Sequence, residues 1–219
     1  GCLYGAKLSE LPENEVILVD VWKEHIDTIN EKDLIMEENG DIISYGKLKG
    51  TLDAGAAGIC DLAVIFVKST LTSVAVRDNK AVFGAGTVAL TLQNGLGNID
   101  LICDEIGAQN VIAGTTAHGA TMLGPGRVRH AGSGKTVIGE LDGTLSNRTR
   151  NIADVFKKAG LDTELSNNVL GLVWDKLLVN VGINALTGIT GLYNGELLNY
   201  PEIETLLEAA VHEADAVAA

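Results

Sequence analysis

The sequence predicts an α/β domain followed by a shorter all-helical one, on three observations. Two runs, EVILVDV at 15–21 and DLAVIFVK at 61–68, are too continuously apolar for strands with one wet face. They read as parallel strands covered on both sides. Twenty-six glycines against three prolines, with 4% aromatic residues, suit a fold with many tight strand-to-helix turns. From about residue 167 strand patterning stops and only helical periodicity follows. The boundary is therefore expected between domains of residues 1–166 and 167–219.

Composition narrows the function classes. With 219 residues and 46% hydrophobic content, the chain can bury one substantial core or two modest ones. Cys2, Cys60 and Cys103 are odd in number and have no metal-type spacing, and no signal-peptide pattern is present. A reducing, cytoplasmic location is the expectation. A net charge of −13 disfavours nucleic acid and anionic membrane as partners, because both call for a basic surface. Small molecules remain.

The first segment, GCLYGAKLSEL, has helical spacing with Gly1 at its head, and EVILVDV follows with Asp20 near its end. In a dinucleotide-binding βαβ unit a glycine fingerprint opens the first helix, and an acidic residue about 20 positions on reaches the adenosine ribose. Gly1 and Asp20 keep that spacing, which would make Gly1 the last fingerprint glycine and put the first strand outside this sequence. A plain helix followed by a strand accounts for the same residues. WKEHIDTINEKD predicts a second helix with Lys23 and His25 at its head, His25 as a solvated surface histidine. LIMEENGDIISYGKL predicts two strands around an Asn39–Gly40 turn.

DLAVIFVK ends on Lys68, at the carboxyl edge where open α/β sheets bind ligands. TVALTLQNGLGN predicts a strand ending at Gln93 and Asn94, a glycine bend, and a helix capped by Asn98. Carboxamides at such a strand end can bind a ribose, a nicotinamide or a carboxylate, or can simply build the turn. VIAGTTAHGA (111–120) reads as one strand, and the Gly124–Pro125–Gly126 turn with TVIGE (136–140) as an antiparallel hairpin finishing the sheet. His118 and His130 lack carboxylate or cysteine partners at ligand spacing, so no metal site is expected. An amphipathic helix over 144–160 and a last strand in LDTELS close the domain.

The stretch richest in chemistry is WDKLLVNVGINALTG, Trp174–Gly188. On a helix Lys176, Asn180 and Asn184 fall at i, i+4 and i+8 and form one polar stripe. Leu177, Leu178, Val181 and Ala185 on one side, with Val179, Ile183 and Leu186 on another, predict a helix buried nearly all round. A lysine and two carboxamides are costly there unless something polar meets them, and a substrate would do so. The alternative is that they only pack the helix. A glycine-rich break, GITGLYNGE, precedes an acidic amphipathic helix beginning at Pro201.

Taken together, Gly1 and its helix, Lys68, TLQNGLGN, GTTAHGATMLGPGRVRHAG and WDKLLVNVGINALTG with YNGELL resemble the ketopantoate reductase (2-dehydropantoate 2-reductase) family over essentially the whole chain. The resemblance implies a Rossmann-type dinucleotide-binding domain, an all-helical domain, and NADPH-dependent reduction of 2-dehydropantoate to (R)-pantoate in pantothenate and coenzyme A synthesis. By position it implies Lys176 as proton donor and Asn180, Asn184 and Asn194 as substrate ligands. Lys68 and Asn94 would line the cofactor, Asn94 also approaching substrate, and Ala120 would contact the cofactor by its main chain. Against the family pattern the chain lacks the first strand and ends before a late serine and glutamate, so a truncated, largely inactive fragment is expected. Asp20 favours NAD over NADP, while the resemblance and Lys23 favour NADP, which is placed first. An NAD-dependent D-2-hydroxyacid dehydrogenase of the same fold, and a non-catalytic nucleotide-sensing protein, are the alternatives. A homodimer through the acidic, leucine-bearing final helix is a further expectation.

Overall fold

A computed structural model describes residues 1–218. The chain opens with α1 (Cys2–Ser9), β1 (Ile17–Val19), α2 (Lys23–Lys32), β2 (Leu34–Glu38) and β3 (Asp41–Tyr45). β4 (Lys49–Thr51), β5 (Leu62–Ile65), α3 (Thr72–Asp78), β6 (Val88–Thr91) and α4 (Asn98–Ile106) follow. Next come β7 (Val111–Thr116), β8 (Gly119–Gly124), β9 (Arg127–Gly132) and β10 (Thr136–Glu140). α5 (Asn147–Lys158) and β11 (Thr163–Leu165) lead to α6 (Val169–Thr190) and α7 (Pro201–Ala218). Two compact units form: Gly1–Gln93 with Gly97–Val169, and Asn94–Leu96 with the chain from Leu170 onward.

The first unit is α/β. Its main sheet has the order β11-β10-β7-β6-β5, with β5, β6 and β7 mutually parallel. β6 is buried at every position, as a strand covered on both faces must be. Leu90, Ile112 and Ile138 from this sheet pack with Tyr4, Leu34, Met36, Phe156 and Leu161 into the core. Because β5 and β6 run the same way, Lys68 and Gln93 emerge from the same sheet edge.

Several sequence expectations hold. β2 and β3 pair antiparallel around Asn39 (φ 53°) and Gly40 (φ 91°), left-handed values that suit an Asn-Gly hairpin turn. α5 starts at Ser146, whose hydroxyl accepts the Thr149 N–H. β11 supplies the expected last strand, pairing parallel to β10.

Others need correction. The 111–120 run breaks at Ala117 and His118, and its second half leaves the main sheet. β8 and β9 do form an antiparallel hairpin, but it joins a separate sheet of order β3-β2-β9-β8, with β9 parallel to β2. The exposed side chains along β8 explain this, since a strand inside the main sheet would need both faces apolar. EVILVDV gives just three strand residues, which pair with β4 alone among the described strands, and Val19 is exposed. Asp20 ends it by accepting the Trp22 N–H at 2.9 Å, a local turn that competes with extension. β4, Lys49–Gly50–Thr51, has no apolar pattern to reveal it; the Asn30 carboxamide holds it through both backbone groups of Gly50. Asn98 does not cap α4. Gly97 (φ 83°) takes that position, and the Asn98 side chain is buried against Thr72 and Ser69.

The second unit is helical. Gly191 (φ 71°) ends α6, and a short 3-10 segment, Asn194–Asn199, leads to α7. The Glu196 carboxylate accepts the Tyr193 N–H at 2.8 Å and fixes that corner. A Cβ on Gly182 would lie 3.1 Å from Val211 and 3.2 Å from Leu207, so glycine permits this close crossing of α6 and α7. The expectation that α6 is buried nearly all round is not met. Val173 and Gly182 are buried, but Val179 is 59% and Ile189 82% exposed. Within the unit, α7 crosses α6 at Gly182, and one crossing helix offers too little surface to enclose another. By length and mean hydropathy (1.4) α6 could also cross a membrane. It carries Asp175 and Lys176 about two turns in from its start, however, and charged residues within a span are costly in hydrocarbon.

Candidate active site

In the first unit, α1 presents its amino end with Gly1 as cap. The first intrahelical bond runs from Gly5 N–H to the Gly1 carbonyl at 2.9 Å, so the preceding amides face outward from the helix head. Apart from its chain neighbour and its own helix, nothing lies within 4 Å of where a Gly1 Cβ would be, which leaves backbone-close room at that point. Asp20, just after β1, is exposed; it accepts the Trp22 N–H, Trp22 stacks on His25, and His25 Nε2 lies 3.3 Å from Cys2 Sγ in the first turn of α1, so the carboxylate stands near the helix head. A helix amino terminus next to an exposed carboxylate suits a diphosphate with an adjacent ribose diol. The Lys23 ammonium, the nearest following cation in sequence, is paired with Asp27 at 2.5 Å.

Lys68 is exposed and heads the 3-10 turn Ser69–Leu71, where its carbonyl accepts the Leu71 N–H at 2.8 Å. Ala120 is exposed on β8 beside a bulge, across from His130. These two join Gly1 and Asp20 in the first unit. Asn94, Lys176, Asn180, Asn184 and Asn194 fall in the second.

There, α6 carries Lys176, Asn180 and Asn184 at successive turns, as the spacing predicts. Lys176 and Asn180 are half-buried, Asn184 is exposed, and Asn194 is exposed at the start of the 3-10 segment. Burial pushes the Lys176 ammonium below its ordinary value of 10.5. Asn94 is exposed and followed by Gly95 (φ 88°), which forms its turn. A cation able to give up a proton, with carboxamides one and two turns along, can bind and orient a polar oxygenated ligand.

Three polar clusters escaped sequence reasoning. His25, expected on the surface, is buried at 1% exposure; its Nδ1 accepts the Gly126 N–H at 2.9 Å, and Nε2 lies 3.3 Å from Cys2 Sγ. Trp22 stacks on it at 5.4 Å. Burial lowers the His25 pKa, consistent with a neutral ring accepting at Nδ1. Second, His118 Nδ1 meets His130 Nε2 at 3.1 Å, and His130 Nδ1 meets Glu38 at 2.5 Å. Lys7 donates to the other Glu38 oxygen at 2.5 Å. Burial alone would raise the Glu38 carboxyl, but donation from Lys7 and His130 outweighs it and holds the group below 4.5. His118 is lowered, chiefly by burial and then by His130. Spacing could not show this chain, because Glu38 lies 92 positions from His130. Among the described residues no cluster of three or more histidine, cysteine or acidic side chains is arranged to hold a metal ion. Third, Gln93, Thr72 and Asn98 form a hydrogen-bonded group behind Lys68. Polar residues flanking a glycine turn at a ligand edge were the available signal.

Comparison with known proteins assigns the family. The profile described as Ketopantoate reductase PanE/ApbA matches residues 1–143, and that described as Ketopantoate reductase PanE/ApbA C terminal matches residues 168–219. A curated 2-dehydropantoate 2-reductase from Halobacterium salinarum is 37% identical over 100% of this chain and 71% of its own. The chain belongs to the ketopantoate reductase family. Ketopantoate reductases are NAD(P)-dependent oxidoreductases, and this membership makes the chain one of them. Among solved structures, the PanE/ApbA family ketopantoate reductase from Ralstonia eutropha JMP134 matches with a TM-score of 0.88 and 33% identity, over 98% of this chain and 69% of that one. D-mandelate dehydrogenase with NADH and anilino(oxo)acetate matches with a TM-score of 0.92 and 28% identity, over 99% and 69%.

Proposed function

We propose that the protein reduces 2-dehydropantoate, a branched 2-keto acid, to (R)-pantoate, with Lys176 as the proton donor. A bound nicotinamide dinucleotide supplies the hydride. The observation that carries the reading is Lys176 itself, half-buried, lowered by desolvation, and in line with Asn180 and Asn184 on α6. As charge develops on the keto oxygen, an ammonium at that atom both stabilises it and transfers the proton. A lowered pKa makes that transfer easier. Asn180, Asn184 and Asn194 orient hydroxyl and carboxylate oxygens without competing charge, and Asn94 serves both substrate and cofactor. Domains of residues 1–166 and 167–219 then divide the work, cofactor on the first and substrate chemistry on the second.

Gly1 and the α1 head, Lys68 and the Ala120 main chain are the groups we assign to the cofactor. For its identity, Asp20 is the feature we weigh against the first expectation of NADP. Its exposed carboxylate suits a ribose 2′-hydroxyl and repels a 2′-phosphate, and Lys23, which a phosphate would need, is paired with Asp27. We therefore place NADH first. The same feature favours a second reading, an NAD-dependent D-2-hydroxyacid dehydrogenase, in keeping with the likeness to D-mandelate dehydrogenase with NADH. Steady-state turnover of a panel of 2-keto acids with NADH and with NADPH separates these. Highest kcat/KM on 2-dehydropantoate with NADH is the expected result; preference for an aryl or unbranched keto acid would favour the second reading, and preference for NADPH would refute the Asp20 argument.

A further inference from the structure

Lys68 is held from both sides by one buried hydrogen-bonded clasp. Before it in sequence, the Val67 carbonyl accepts from Gln93 Nε2 at 2.7 Å. After it, the Ser69 hydroxyl accepts from Asn98 Nδ2 at 3.2 Å. Both carboxamides hang on one hydroxyl: Thr72 Oγ1 accepts from Gln93 Nε2 at 2.9 Å and donates to Asn98 Oδ1 at 2.8 Å. Thr91 completes the set by donating to Gln93 Oε1 at 3.0 Å. Thr72 is 0%, Asn98 2% and Thr91 3% exposed. Polar groups buried this deeply persist because they are mutually satisfied, and a satisfied network adopts one arrangement. Its arrangement is aimed at a single short segment.

A lysine on an exposed turn has about 2 kcal/mol of rotamer freedom and a mobile backbone beneath it. Pinning the residues on either side leaves only the side chain to be ordered when a ligand arrives, which is the source of gain in preorganised sites. We propose that Thr72, Gln93 and Asn98 are positioning residues that act through Lys68 to set the affinity for the nicotinamide cofactor. The proposal rests on the assignment of Lys68 to the cofactor.

The test is a double-mutant cycle read by equilibrium binding of NADH and NADPH, from quenching of protein fluorescence, alongside kcat and KM. Thr72→Val, nearly isosteric, and Gln93→Met should each weaken cofactor binding about tenfold. At saturating cofactor kcat should stay within about twofold of wild type, as removal of uniform binding requires. Thr72→Ser, which keeps the hydroxyl, should restore wild-type affinity. In a Lys68→Ala background, already weakened, Thr72→Val and Gln93→Met should add nothing. Full additivity in that background would overturn the positioning role while leaving the Lys68 assignment standing. Unchanged cofactor affinity in Lys68→Ala alone would overturn the assignment and the proposal with it. Should Thr72→Val fail to fold, Gln93→Met carries the same cycle.

Discussion

Replacing Glu38 with glutamine tests the polar chain linking α1, β2 and β9. Glu38 takes charge-assisted bonds from Lys7 and His130, both at 2.5 Å, with its own side chain 14% exposed and those partners 20% and 5%. Such bonds contribute about 1.5–3 kcal/mol each. Glutamine carries no charge and offers one acceptor oxygen, so one bond is weakened and the other is lost against an amide N–H. The expected destabilisation is about 2–4 kcal/mol at pH 7. Urea unfolding followed by circular dichroism at several pH values measures it. The sign with pH follows from the direction of each shift. The Glu38 carboxyl is lowered in the folded state, so its contribution is complete above its unfolded value of 4.5 and fades as pH falls through the folded one. The gap between wild type and Glu38→Gln should therefore be full at neutral pH and narrow in acid. His118 is lowered too, so both proteins lose stability as pH drops below 6.5, where the unfolded chain takes up that proton first. A gap under about 0.5 kcal/mol at pH 7, the range of ordinary surface substitutions, would refute the reasoning. So would a gap that widens on acidification.

Tyr4 is 3% exposed and its hydroxyl bonds Thr116 at 2.8 Å and Thr136 at 2.6 Å, so Tyr4→Phe should cost about 1–3 kcal/mol in urea unfolding and leave cofactor affinity unchanged. Arg148 donates to both oxygens of Glu140, which is 6% exposed; Arg148→Met should lower stability by about 3 kcal/mol, visible as a reduced urea midpoint with unchanged slope. Asp20→Asn, read as kcat/KM with each cofactor, should reduce the preference for NADH over NADPH, because it removes the charge that repels a 2′-phosphate.

How legible the molecule was in its sequence depended on the range of the contacts concerned. Buried parallel strands such as β6 announce themselves by a near-continuous apolar run, and the Asn39–Gly40 turn by its required backbone angles. The stripe of Lys176, Asn180 and Asn184 followed from helical spacing alone. Contacts made at long sequence separation were invisible. His25 looked like a surface residue on an amphipathic helix until Gly126, 101 positions away, supplied its partner. The chain from His118 to Lys7 draws on four elements or their junctions, and no spacing rule joins them. Strand β4 has three residues and no pattern, so its parallel pairing with β1 could be known solely from the fold. Asn98 was read as a cap because its type and place suited one; its buried bond to Thr72 shows that the carboxamide serves the loop instead.

The central claim is that Lys176 delivers the proton. The most direct measurement is the pH dependence of kcat for 2-dehydropantoate reduction at saturating NADH, in wild type and Lys176→Met. A donor must be protonated, so wild-type kcat should fall on the alkaline side of its profile, with a midpoint below 10.5 because burial lowers the group. Lys176→Met should lose that alkaline limb and about 10²–10⁴ of kcat while binding the cofactor normally. An alkaline limb that survives in the variant, or a kcat within a few-fold of wild type, would contradict the account.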